Sequence, residues 1–262
     1  MNLFTTCRAL LSCALCLASS IWAPPALAQS DEKILNLYNW SAYIADDTVA
    51  NFEKETGIKV RYDTFDSSEI LHAKLVAGRT GYDIVMSSSG WARMQADAGL
   101  LQPLNKALLP NLKNLDPQIT GKIAQVDPGN RYTLSWLWGF TTVGINVDKV
   151  KAALGSTPMP DNAWDLLFKP EYVSKLKSCG VSYLDSASEV LPAVLHYLGL
   201  PLSTNKPEHF AAAAAVLKSV RPYVTLFSSA GYTDDLANGA LCVSMGWSGD
   251  INSARMRAIE SK

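Results

Sequence analysis

Ile34-Leu35-Asn36-Leu37-Tyr38-Asn39-Trp40-Ser41, followed after six residues by Thr48-Val49-Ala50-Asn51-Phe52-Glu53-Lys54-Glu55-Thr56-Gly57-Ile58-Lys59-Val60-Arg61-Tyr62, decides the fold. Residues 34–38 read as a strand. Residues 48–56 read as a helix: Asp46 and Asp47 suit its positive end, and Gly57 suits a left-handed stop just past its last turn. Residues 58–62 read as a second strand. Strand, crossover helix, strand is the repeating unit of a parallel sheet, so the fold class is α/β.

The same reading carries outward. Asp66 with Glu69 three residues on resembles a capping box opening a helix that runs to Gly78. Residues 82–86 form a third strand that delivers Ser87-Ser88-Ser89 to its end. Open parallel sheets bind ligands outside the carboxyl ends of their strands, which puts Asn39-Trp40-Ser41 and Ser87-Ser88-Ser89 on one cleft wall. Residues 103–130, rich in Pro, Asn, Lys and Leu, read as irregular or short-helical surface. Residues 132–146 read as two strands broken at Gly139, crossing into a second lobe. That lobe holds helices at 164–168, 189–198 and 208–220 and strands at 180–184, 224–227 and 241–245. Its last strand delivers Gly246-Trp247-Ser248-Gly249-Asp250 to a strand end. The division expected is lobe one at 29–137 and lobe two at 138–262.

The N-terminus reads as a cleavable secretory signal over residues 1–28: Arg8, an apolar run from Ala9 to Trp22, and Ala26-Leu27-Ala28 behind Pro24-Pro25. The run is too short to span a membrane, and no later segment is long and apolar enough. The expectation is an exported, soluble protein cleaved after Ala28. A lipoprotein reading at Leu11-Ser12-Cys13 is weakened by how few apolar residues precede that cysteine. The formal charge of −1 becomes −2 when Arg8 leaves, which gives nucleic acid no basic surface to bind. Cys7, Cys13 and Cys16 leave with the signal. Cys179 and Cys242 remain, as one disulfide worth about 4 kcal/mol of loop entropy or as two buried thiols.

Asn39-Trp40-Ser41 with Tyr43, facing Trp247 and Asp250 from the other lobe, is the best candidate site. A lone tryptophan at a strand end is more often packing than a ligand platform. Two at matching strand ends, one followed by a carboxylate at plus three, make a box for an organic cation. Indole and phenol faces attract ammonium by roughly 0.5–2 kcal/mol, and Asp250 supplies the counter-charge. Asp250 could equally serve as the N-cap of a helix from Ile251 onward. Gly246-Trp247-Ser248-Gly249-Asp250 only imitates a hydrolase nucleophile elbow, because Asp250 stands in place of the last glycine and no histidine follows. His72, His196 and His209 lie far apart within helical stretches, and no phosphate-binding loop is present. No catalytic residue, cofactor or metal is implied.

The segments 35–41 and 52–60, with Tyr82-Asp83-Ile84-Val85, Gly144-Ile145-Asn146-Val147-Asp148-Lys149-Val150, Leu176-Lys177-Ser178-Cys179-Gly180-Val181-Ser182, Asp235-Leu236-Ala237-Asn238-Gly239 and Gly246-Trp247-Ser248-Gly249-Asp250, resemble the periplasmic polyamine-binding proteins of the putrescine type. The resemblance covers essentially the whole mature chain. It implies a two-lobed type II periplasmic-binding-protein fold, a Cys179–Cys242 disulfide, and a monomer that hands a polyamine or other amine to an ABC transporter permease. Trp40, Ser41, Tyr43, Ser88, Ser229, Trp247 and Asp250 fall on positions lining the family's ligand site. Ala42 and Ser188 depart from it, standing where the family carries acids. The family also continues about another hundred residues past the position of Lys262, so the resemblance implies a missing C-terminal part. Binding of a less charged solute, or a truncated non-binding interaction protein, is the alternative; a secreted serine hydrolase using Ser248 is the remote one.

Overall fold

The computed structural model describes residues 33–261. The leader and Cys7, Cys13 and Cys16 lie outside these residues. The chain builds two sheets, each with its own core, and these define the two lobes used below.

The first lobe opens with β1 (Ile34–Trp40), α1 (Thr48–Thr56), β2 (Lys59–Phe65), α2 (Ser68–Ala77), β3 (Ile84–Val85) and α3 (Ser89–Asp97). Its strands pair in parallel in the order β2-β1-β3, with Trp40 level with Phe65 at the carboxyl end. Helix α1 has the bounds expected, and Gly57 ends it at φ 69° with its N–H donating to the Glu53 carbonyl. Strand β2 runs three residues further than expected. Asp66 therefore sits at the strand end, and Ser67 caps α2 by accepting the Ile70 N–H. The capping box read at Asp66 and Glu69 is thus corrected, and both carboxylates face the interlobe cleft instead. The core here is small, with Tyr38, Phe65 and Leu71 buried against Trp40, Leu75, Tyr82 and Val85.

Residues 103–130 form two short 3₁₀ turns and α4 (Pro117–Ile123), in keeping with the irregular surface expected. The strand pair read over 132–146 reduces to β4 (Thr141–Ile145). The cause is local: buried Asp127 accepts the backbone N–H groups of Arg131, Tyr132 and Thr133 and the Thr133 hydroxyl. Backbone donors held by a carboxylate are not available to a ladder. Burial pushes the Asp127 carboxyl up, but these donors outweigh it and hold the pKa below the ordinary value. The crossing segment 134–140 lies exposed, with Trp138 at 70%. The expected boundary at 137/138 falls within it.

The second lobe continues with α5 (Val147–Leu154), α6 (Asp165–Phe168), α7 (Pro170–Leu176), β5 (Val181–Tyr183), α8 (Ala187–Tyr197), α9 (Pro207–Val220), β6 (Leu226–Phe227), α10 (Tyr232–Asn238), β7 (Val243–Trp247) and α11 (Ser248–Glu260). The sheet order is β4-β7-β5-β6, parallel except for the β4–β7 pair. Its core is far larger than the first, joining Val150, Leu166, Val173, Val181, Val194 and Val243 with many neighbours, so this lobe supplies the rigid platform. Cys179 and Cys242 form a disulfide across a sequence separation of 63, fastening the turn before β5 to the start of β7. The two-thiol alternative is set aside.

Cross-linking a loop of that length removes about 4 kcal/mol of chain entropy from the unfolded state. The Cys179→Ser/Cys242→Ser variant should lose roughly that stability in urea titrations. An unchanged midpoint would show that the bridge does not constrain the unfolded chain.

Candidate functional site

Trp40 ends β1 and Trp247 ends β7, so each indole leaves its sheet at a carboxyl edge and meets the other across the gap. Their ring centroids lie 5.5 Å apart at 70°, an edge-to-face contact. Such pairs contribute about 0.5–1.5 kcal/mol beyond the area they bury. Trp40 also packs on Phe65 at 4.6 Å and Tyr43 at 5.9 Å. Behind Trp40, fully buried Asn39 locks the strand end: its Oδ1 accepts the Trp40 N–H at 2.8 Å and its amide donates to Tyr62 at 3.1 Å.

The indoles border a cavity of about 210 Å³ that draws on both lobes. Trp40, Ser41, Tyr43, Ser229, Trp247 and Asp250 all line it, as do Ala42, Asp66, Asp234 and Arg257, among others. Ser88 stands apart: it precedes α3, and its hydroxyl pairs with that of Ser68 at 3.1 Å. Ser41 donates to Asp66 at 2.8 Å, and Ser229 accepts the Asp185 N–H at 3.1 Å. Ser188 lies outside this lining and is bound up in contacts between the lobes.

Asp250 falls in the first turn of α11, whose N-cap is Trp247, so the N-cap reading is corrected. A carboxylate there still favours the positive helix end. Its partner is Tyr232, which donates to Oδ2 at 2.7 Å while accepting the Trp247 N–H at 3.0 Å. One phenol thus fixes the carboxylate and the Trp247 backbone together. Burial pushes the Asp250 carboxyl up, against the opposing pull of the Tyr232 hydrogen bond and the Arg257 charge. Arg257 itself is held by Asp234. Tyr43 is raised by burial and then by the charges of Asp250 and Glu189, so it remains a neutral phenol. The result is an aromatic box beside a carboxylate whose ionised form is only partly compensated, which can take up the positive end of a solute.

Other chemistry finds little support. The Ser248 hydroxyl accepts the Phe140 N–H at 3.3 Å, and the histidine contacts lie elsewhere: His72 against Trp91, His209 against Thr204. Among the described residues no group of His, Cys, Asp and Glu could hold a metal ion. No described helix is long and apolar enough to cross a membrane.

Sequence reading missed Asp66, Tyr232 and Arg257. Asp66 was absorbed into a helix cap. Tyr232 begins α10, whose first-turn acids Asp234 and Asp235 and terminal Gly239 were legible signals. Arg257 lies seven residues beyond Asp250, two turns along one helix face.

Residues 47–261 match the family model described as bacterial extracellular solute-binding protein. The chain belongs to that family. This solute-binding protein is 50% identical over 250 residues to the putrescine-binding periplasmic protein SpuD of Pseudomonas aeruginosa, covering 95% of this chain and 67% of that one. It is 51% identical over 234 residues to the putrescine-binding periplasmic protein PotF of Escherichia coli, covering 89% and 63%. Among solved structures, a putative spermidine/putrescine ABC transporter protein from Listeria monocytogenes superposes with a TM-score of 0.75 at 32% identity, covering 86% of this chain and 66% of that one. The chain therefore spans about two thirds of the length of these relatives. They bear out the type II periplasmic-binding-protein fold that the resemblance implied.

Ala42 lines the cavity at φ 59°, a left-handed conformation costing roughly 1–2 kcal/mol for a residue with a Cβ. Ala42→Gly should raise stability by about 0.5–1 kcal/mol after the added freedom of the unfolded chain is deducted. Thermal denaturation checks this, and a destabilised variant would show that the methyl packs favourably enough to offset the strain.

Proposed function

We propose that this protein is a periplasmic, non-enzymatic receptor that closes its two lobes over a small organic cation and hands it to an ABC transporter permease. In this reading the chain is exported with its leader cleaved after Ala28 and acts as a monomer, its lobes meeting within the crossing segment. The ligand is putrescine or a related polyamine, held by Trp40, Ser41, Tyr43, Ser229, Trp247 and Asp250, with Ser88 supporting the wall from behind.

The observation that carries this is Asp250, a carboxylate raised by burial in a cavity that indoles from both lobes border. An ammonium group there lets the carboxylate ionise at lower cost and lays its methylenes on the aromatic faces. The names of SpuD and PotF support the ligand class. A less charged solute is the second reading, because Ala42 gives the lining no charge and Ser188 is held away from it.

Calorimetry with putrescine, spermidine and monoamines tests the first reading, and silence across an amine and amino-acid panel would reject it. Asp250→Asn should weaken amine binding by roughly 100-fold or more, the scale of losing one partner of a desolvated charge pair.

The same substitution should raise the melting temperature of the ligand-free protein at neutral pH. Asp250 has its folded pKa raised, so its contribution to stability is present when protonated and lost as pH rises through that pKa. Amine affinity runs the opposite way, falling as pH drops through the same range, which begins above the ordinary value of 3.8. Flat affinity across that range would remove Asp250 from the site.

A further inference from the structure

Beside the aromatic cavity the interlobe cleft widens into an outer space of about 540 Å³ bordered by Asp66, Glu69 and Asp185, with no Lys, Arg or His in its lining. Two helices point their N-termini into it from opposite lobes. Helix α2, of ten residues, starts at Ser68 in the first lobe, and α8, of eleven, starts at Ala187 in the second. Each end carries roughly half a positive charge on unpaired N–H groups, so bringing the lobes together brings like partial charges together.

Glu69 lies between them. It belongs to the first turn of α2, close to the positive end of that helix. Across the gap its Oε1 accepts the Ser188 N–H of α8 at 3.2 Å, and both of its oxygens lie 3.1 Å from the Ser186 hydroxyl. Ser186 is the N-cap of α8, yet its side chain caps no N–H of its own helix. The capping acceptor for α8 thus comes from the other lobe. Trp91 reinforces the contact by donating its Nε1 H to Ser188 at 3.3 Å. Burial pushes the Glu69 carboxyl up, but these donors outweigh it and hold its pKa below the ordinary value, so Glu69 is charged in this arrangement.

We infer that Glu69 is a positioning residue that latches the two lobes together by reaching from the first turn of α2 in its own lobe to cap α8 in the other. It sets ligand affinity by stabilising the closed arrangement and not by touching the ligand. The link to affinity rests on the solute-receptor reading; the latch itself does not.

Two measurements separate these. Small-angle scattering on the ligand-free full chain should give a larger radius of gyration for Glu69→Gln and Glu69→Ala than for the parent protein, with Ser186→Ala in between. Equal radii, with folding verified by circular dichroism, overturn the latch whatever the ligand proves to be. Calorimetry with a monoamine, putrescine and spermidine should then show Glu69→Gln weakening all by the same factor, about 10-fold, the scale of charged hydrogen bonds lost on closure. A loss that grows with the number of ammonium groups would overturn the positioning role and make Glu69 a ligand contact. If the radii shift while the parent protein binds none of the amines, the latch stands and the receptor reading fails.

Discussion

Removing a carboxylate from water without giving it a cation is the constraint on which the rest of this molecule turns. Burial favours the neutral form of Asp250, and only a phenol hydrogen bond and a guanidinium already engaged by Asp234 oppose it. A fold selected for stability alone would place an apolar residue there. The surrounding structure is arranged to keep the group where it is. Tyr232 orients it while accepting the Trp247 N–H, and the first turn of α11 lends it the positive end of a helix. Strain at Ala42 belongs to the same site.

The two lobes contribute unequally. The second has a broad apolar core, a four-stranded sheet and a disulfide, and it holds Trp247, Tyr232 and Asp250 on connected elements. The first has three strands over a small cluster and supplies Trp40 and Tyr43 from one strand end and its following turn. Contacts between the lobes include aromatic edges and hydrogen bonds to serines, and the crossing segment is tied to the first lobe by the Trp136 Nε1 H donating to the Tyr43 carbonyl at 3.3 Å. Interfaces of this polar kind resemble those that form and part in solution, unlike the continuous apolar core that holds one lobe to itself.

Much of the local structure was legible because its causes are local. Helix α1 is written in its acids and in Gly57, and the alternation of strands and crossover helices makes a parallel sheet the natural outcome. Strand ends in parallel sheets are where sites form, so Trp40 and Trp247 could be singled out before their contact was seen. Failures came where a side chain reaches far along the chain or into the other lobe. The pattern over 132–140 alternates like a strand, and nothing nearby says that Asp127 takes its amides. Glu69 sits three residues after Asp66 as a capping residue would, and its true partners are 117 and 119 positions away. Ser88 followed the strand-end rule yet turned its hydroxyl to Ser68.

Gly246 stands directly behind the box, between Met245 and Trp247. A Cβ there would come within 2.4 Å of the Tyr232 ring and 2.9 Å of Ile251. The ring that would have to yield is the one that orients Asp250, so a methyl group added on the far side of the sheet would misalign the carboxylate without entering the cleft. Room for change without moving Tyr232 lies instead at the front of the pocket, at small exposed positions such as Ala42 and Ser253.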